Sequence, residues 1–556
     1  MMKKTERVEI DIHEIEAILD RTKTGSLGDE DFAKLKAALE TLAYLTDLVE
    51  DRQTTMARLR QMLFGASTES LSNVLKTLHT QTAAGSGTEN SASDNKAATT
   101  EPSAKGHGRN GASEYSAAKK IKIPLDSLKA GQRCPGCLKG KLYDSVAPGL
   151  LVRVTGQAPL AATVYELQKL RCNLCGEVFT AEPPAGIGTE KYDAAAGAMI
   201  AMLKYGNGMP FNRLAQLQEN MGLPLPAATQ WEIVEAAAAL AEPAHIELVR
   251  QAAQGEVLHN DDTGAKILEM MSDNNAVTKQ EEDEESRGIE DPERKGMFTS
   301  GIVAVTGEHK IALFYTGRKH AGENLRELLK RRSANLAPPI QMCDALSRNM
   351  PKELKTIVAN CASHARRKFV DVALDFPEEC LHVLKVFREV YAVDAAAKEQ
   401  RLSATDRLAS HQAESAPRMT GLHDWMKEQI AAKKVEPNSG LGQAIGYMRK
   451  HWEKLTLFLR VPGAPLDNNL CERALKKAIL HRKNALFYKT LHGAVVGDLF
   501  MSLIHTCQLC GANPFDYLVA LQKHHSELAA TPSDWMPWNY CPTMDGLAPL
   551  APAAQP

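Results

Sequence analysis

The 556-residue sequence has no excess of charge of one sign. Its 66 Lys and Arg against 68 Asp and Glu leave a net charge of −2, so any affinity for a polyanion must come from a local basic face. Met1-Met2-Lys3-Lys4-Thr5-Glu6-Arg7 runs into acidic residues without the apolar stretch of a secretory signal. Long hydrophobic runs are also lacking: the most apolar segment, 194–203, is alanine-rich and far shorter than the roughly 20 residues a membrane helix needs. The expected compartment is the cytoplasm, with no membrane partner. Eleven cysteines in a large chain of a reducing compartment are poor evidence for disulfides, and the paired spacing of four of them favours a metal instead.

What is present is ordinary for a globular protein, with 24% charged and 44% hydrophobic residues. A chain of this length is too long for one core and should divide into several units. Residues 1–80 form an N-terminal helical region, in which Leu35, Leu42, Val49, Met56 and Leu63 lie on one seven-residue line. That line fits a coiled coil, but the companion seam contains Ala38 and Arg52, so an amphipathic helix packed on its own domain fits equally. Residues 81–117, rich in Ser, Ala, Gly, Thr and Asn, read as a disordered linker.

Residues 118–187 carry Cys134-Pro135-Gly136-Cys137 and Cys172-Asn173-Leu174-Cys175. Each pair sits on a tight turn that faces two thiolates to the same side, and four soft ligands close a tetrahedral structural site for one Zn²⁺. Unligated reduced thiols are the alternative. Cys507 and Cys510, in an apolar helical pattern without a second pair, read as core packing. Residues 188–250 are helical, and the segments 211–221 and 227–238 around Gly222-Leu223-Pro224 fit a DNA-binding helix-turn-helix as well as any helical hairpin.

The chemistry-bearing pattern begins at 251. Residues 256–263 read as a strand ending in Asp261 and Asp262. An acidic insertion, 272–295, precedes two further strands at 297–305 and 310–315, then a helix at 322–332 and a short strand at 340–344 ending in Asp344. Three antiparallel strands, a helix and a strand bearing an acid are the order of a ribonuclease H-like core, in which the first and fourth strands lie side by side. The predicted fold is therefore multidomain α+β, with the core split into 251–369 and 466–525 by a helical insertion at 370–465, and a tail at 526–556. Near the second half's start, Asp467 or Asn468 can cap a helix that places Glu472 one turn in.

At these residues the chain resembles the DDE transposases of the insertion sequence 66 family, the large TnpC-type protein. The resemblance rests on Leu63-Phe64-Gly65 with Ser67 and Glu69, the two cysteine pairs, and Asp261-Asp262-Thr263 where the family commonly has Asp-Glu-Thr. It continues through Cys361-Ala362-Ser363-His364-Ala365-Arg366-Arg367-Lys368-Phe369, Asp467-Asn468-Asn469 leading to Glu472-Arg473-Ala474-Leu475, Arg482-Lys483-Asn484, and Ser502-Leu503-Ile504 to Asn513-Pro514. It implies that Asp261, Asp344 and Glu472 are the catalytic triad. Asp262 and the acidic insertion depart from the family pattern, leaving open which of two adjacent acids faces the metal.

Three carboxylates suit two Mg²⁺ or Mn²⁺ ions roughly 3.5–4 Å apart, which stabilise the attacking and leaving oxygens of a phosphodiester. Arg366, Arg367 and Lys368, and then Arg473, Lys476, Lys477, Arg482 and Lys483, are candidate phosphate contacts. Each cluster also fits a solvated helix face. His364 fits a phosphate-positioning role or a structural one. The resemblance implies DNA cleavage and strand transfer at element ends by a homo-oligomer on DNA, with small accessory proteins as partners. A zinc-containing DNA-binding regulator without catalysis and a metal-dependent nuclease that never joins strands are the competing readings.

Overall fold

A computed structural model describes residues 132–133, 135, 139, 141, 158–171, 178–184, 190–271 and 296–547. The N-terminal helical region, the linker, all four paired cysteines and the acidic insertion lie outside the described residues. The described residues form two compact units, one of Pro338–Ser347 and Thr356–Asn469, the other of those up to Ala337 with Arg348–Lys355 and Leu470 onward.

The second of these units opens with a short antiparallel hairpin, β1 (Lys169–Arg171) and β2 (Val178–Thr180). Helix α1 (Ala194–Ala201) starts where the Asp193 side chain accepts the Ala196 N–H at 2.8 Å, a conventional N-cap. A π turn follows at Met202–Gly206, then α2 (Phe211–Asn220) and α3 (Ala227–Ala252), joined through Gly222 at φ +74°. The expected helical hairpin is thus present, but its second helix runs 26 residues and is a core element. Val234, Ala237, Ala238, Ala241, Ala244 and Leu248 recur at helical spacing and are buried. Small side chains along that stripe allow close packing, while Glu232 and Glu242 face outward.

Strands β3 (Val257–Gly264), β4 (Phe298–Thr306) and β5 (His309–Gly317) form an antiparallel meander. β-branched and apolar residues fill it, and the middle of β4 is buried. Helix α4 (Ala321–Leu329) follows, with a capping box between His320 and Glu323.

The other unit contains a parallel pair, β6 (Ile340–Cys343) and β7 (Ile357–Asn360), and then helices. These are α5 (Ala362–Asp371), α6 (Pro377–Glu399), α7 (Ala404–Ser410) with a π turn at His411–Ser415, α8 (Ala416–Ala431), α9 (Gly440–Lys450) and the single turn α10 (Trp452–Leu455). Val383, Phe387, Val390, Met419, Met426 and Ile445 are among the side chains that these helices bury.

Helix α11 (Asn469–Ala485) leads back into the unit of the meander, followed by α12 (Leu491–Cys510), α13 (Pro514–Lys523), α14 (His525–Ala530) and α15 (Tyr540–Gly546). The outer edge of β5 would present bare N–H groups, and α12 covers it. Thr506 Oγ1, Ser502 Oγ and Asp498 Oδ2, one helical turn apart, accept the N–H groups of Ala312, Phe314 and Thr316 at 3.1, 3.0 and 2.6 Å. Among the described residues α12 is the one helix long and apolar enough to cross a membrane, longer than the run at 194–203 that stood out in the sequence. Its apolarity serves the core, since 72% of it is buried. Cys507, expected to be packing, is fully buried there.

Candidate catalytic centre

Asp261 lies near the end of β3, directly opposite Gly301 of β4 in the antiparallel register. Opposed residues of such a pair project to the same face. On that face α11 approaches closely: a Cβ on Gly301 would lie 3.0 Å from Leu475 and 3.4 Å from Cys471 Sγ, and the Cys471 thiol donates to the Gly301 carbonyl at 3.3 Å. Glu472 follows Cys471 and precedes Leu475 by three positions, so it belongs to the same side of α11. At the strand's end Arg482 holds the helix in place, its guanidinium donating to Thr263 Oγ1 at 3.1 Å and to the Gly264 carbonyl. Arg482, a candidate phosphate contact, is therefore engaged as a brace within the protein. Arg473, Lys476 and Lys483 on α11 are exposed, and Lys477 is half-buried.

The helix start follows from its sequence. Asp467 Oδ1 accepts the Asn469 N–H at 3.1 Å while Oδ2 accepts from the Asn469 side chain at 2.6 Å, so α11 begins at Asn469 and Glu472 sits in its first turn. A carboxylate there is also favoured by the helix dipole.

Asp262 faces the other way. Its Oδ2 is hydrogen-bonded to His320 Nδ1 at 2.8 Å, Arg348 lies 3.3 Å from Oδ1, and its side chain is only 2% exposed. Asn260, two residues back, donates to the Asn349 carbonyl at 2.9 Å on that same face, as strand alternation requires. His320 also packs against Phe298, with ring centroids 4.0 Å apart. Of the two adjacent acids, the one on the α11 face is Asp261. Neither His320 nor Arg348 stood out in the sequence; a histidine directly before a helix start was the only available signal.

In the other unit Asp344 directly follows β6, and its Oδ1 accepts the Leu346 N–H at 3.1 Å. Asn360, at the end of the parallel β7, donates to the Asp344 carbonyl at 3.3 Å. Tyr447 of α9 is close by: burial first, and the Asp344 charge second, push its hydroxyl up to about 12. Lys368 places its ammonium 4.6 Å from the Tyr447 ring centre, and Arg366 and Arg367 sit half-buried on α5 beside it. No sequence signal marked Tyr447, since a tyrosine in a helix reads as packing.

The chain matches the Transposase IS66 family over residues 191–496, and it belongs to that family. Two similar proteins come from Sinorhizobium fredii (strain NBRC 101917 / NGR234). "Uncharacterized protein y4jD" is 29% identical over 262 residues, 46% of this chain, and the match spans only 44% of that protein. "Uncharacterized protein y4hP" is 25% identical over 437 residues, 73% of this chain and 72% of that protein.

Proposed function

We propose that the protein binds the ends of its own insertion element, cuts them and joins them to target DNA, with Asp261, Asp344 and Glu472 as the acids of a ribonuclease H-like centre. The observation that carries this reading is the seating of α11 on the Asp261 face of the meander through Gly301. It supports two carboxylates, far apart in sequence, serving one site. Carboxylate oxygens are the hard donors that Mg²⁺ or Mn²⁺ takes. When bound, such ions lower the pKa of water and offset charge on the phosphate.

The residues' part is to hold and orient. In the first step a water oxygen bonds to phosphorus at the element end and the bond to the 3′ oxygen breaks, leaving a 3′-hydroxyl. In the second that hydroxyl attacks a target phosphorus and displaces the target's 3′ oxygen, so a phosphodiester is exchanged and no covalent protein intermediate is needed. Arg473, Lys476, Lys477 and Lys483 on α11, and Arg366, Arg367 and Lys368 on α5, supply cations for the strands' phosphates. The working form is a homo-oligomer on DNA assisted by small companion proteins.

A structural Zn²⁺ on Cys134, Cys137, Cys172 and Cys175 belongs to the same proposal. Its support is local: the backbone bridge Arg133↔Lys141 flanks the first pair, and the β1–β2 pairing of Arg171 with Val178 flanks the second. Antiparallel flanks close a turn around each pair, which suits two thiolates facing one ion.

The test is Glu472→Gln, which keeps size and removes charge. The variant should fold and bind element ends but lose both cleavage and joining. An active variant would remove Glu472 from the mechanism, and cleavage without joined product in the unaltered protein would establish the nuclease reading instead.

A further inference from the structure

A groove of about 1350 Å³ opens in the unit that contains Asp261. One wall is the start of α2 and α3, with Phe211 and Trp231; the other is the segment after α11, with Leu486, Phe487 and Leu491. Small-molecule pockets measure roughly 300–1,000 Å³, so this volume suits an extended chain better than a compact metabolite.

The second wall is fixed and still exposes apolar surface. Leu486, Phe487 and Leu491 are 62%, 43% and 40% exposed. Leu486 holds φ at 68°, a left-handed conformation that a branched side chain adopts at a cost and that concentrates at functional sites. Backbone bonds anchor the wall to the chain leaving β3: Tyr488 donates to the Lys266 carbonyl at 2.8 Å, Leu268 to the Tyr488 carbonyl at 2.9 Å, and the Leu491 N–H to Glu269 Oε2 at 2.8 Å. Glu269, which lines the groove, is eight positions from Asp261, a reach of at most ~27 Å at strand rise. The groove therefore begins within a few nucleotides' length of the candidate catalytic acid.

Its charge decides the occupant. Arg213 and Lys489 line it and are exposed, while Lys204 is buried in its wall, 4.7 Å from the centre of the Phe211 ring. Of the two lining carboxylates, Glu235 is held by His492 at 2.7 Å and Glu269 by the Leu491 N–H. Aromatic faces between cations match a single strand, whose bases stack while its phosphates take the charge. A duplex offers no base faces, and an apolar peptide gives the cations no partner.

The geometry points to this groove as a binding site for an unpaired stretch of DNA strand beside the cut, with bases on Trp231 and Phe487 and phosphates on Arg213 and Lys489. This rests on the reading of the protein as a DNA-cutting enzyme.

The experiment measures fluorescence anisotropy of a labelled short oligothymidylate and of a labelled blunt duplex with the full-length protein. Trp231→Ala and Phe487→Ala should each weaken the oligothymidylate at least about fivefold, the equivalent of the ~1 kcal/mol at the low end of base–aromatic stacking. Duplex affinity should hold, and Trp231→Phe should restore single-strand binding. Lys489→Glu, on an exposed side chain, gives the same test should an aromatic variant fail to fold. Undiminished single-strand binding in all these variants, equal losses on both DNAs, or no single-strand binding by the unaltered protein would overturn the assignment. So would a loss confined to self-association, which would give the groove to a second copy of the chain. Failure of the two proposals is separable: an active Glu472→Gln variant sinks the triad and leaves the groove, while inert groove variants beside a dead Glu472→Gln do the reverse.

Discussion

Asp261 and Gly301 face each other across β3 and β4, and the side chain that Gly301 lacks is the space that α11 uses to approach the acid. Leu475 and Cys471 come within 3.0 and 3.4 Å of where a Cβ would be. Gly301→Val should therefore lift α11, costing about 1–3 kcal/mol of stability by overpacking. Cleavage should fall far more than the melting temperature would explain. Melting curves and a cleavage assay on one preparation check this, and a fully active, equally stable variant would show that α11 is not seated by that contact.

The same region shows how far the sequence is legible. The three meander strands were expected at 256–263, 297–305 and 310–315 and stand within two residues of those bounds, because short apolar and β-branched runs interrupted by turn residues specify their own structure. The helix carrying Glu472 was legible from its cap at Asp467. Strand β7 was not: four residues directly before a helix are too few to show a period. Alternation alone says that Asp261 and Asp262 face opposite ways, but which way each faces is decided by His320, Arg348 and Gly301, which are distant in sequence. The long reach of α3 was hidden for another reason, since an alanine stripe gives little contrast between buried and exposed faces.

The edge cover of β5 carries a pH signature. Burial first raises the Asp498 carboxyl, and the hydrogen bonds from the Thr316 N–H and hydroxyl oppose it, leaving it at about 7 against an ordinary 3.8. The folded state thus holds this proton more tightly than the unfolded one, so its contribution to stability is complete below about 3.8 and is lost as pH rises toward 7. Asp498→Asn, which keeps an acceptor for the Thr316 N–H, should remove that loss. The stability difference, variant minus unaltered protein, should climb between pH 4 and 7 in urea titrations. A flat difference would mean that Asp498 ionises normally.

Zinc content is a direct measurement. Protein purified without chelators should contain about one zinc per chain, because four thiolates complete one tetrahedral site. Cys134→Ser or Cys172→Ser should release it while the residues 190–271 and 296–547 keep their helical signal. Absence of zinc from the unaltered protein would return the four cysteines to reduced, unligated thiols.

Adjacent acids with different surroundings allow the sharpest comparison. Asp262 is buried against His320 and Arg348, so Asp262→Ala leaves two cationic or polar partners without their anion. With Arg348 43% exposed and able to regain water, the loss is that of the buried hydrogen bonds, about 1–3 kcal/mol. Its activity should decline in step with its stability and recover partly at low temperature. Asp261→Asn should behave in the opposite manner. Asp261 lies in a half-buried position on the α11 face, so removing its charge should leave the melting temperature nearly unchanged while abolishing cleavage at every temperature. The measurement is the pair of melting curves beside the pair of cleavage rates. Should Asp262→Ala prove stable but inactive and Asp261→Asn remain active, the roles of the two acids would have to be exchanged.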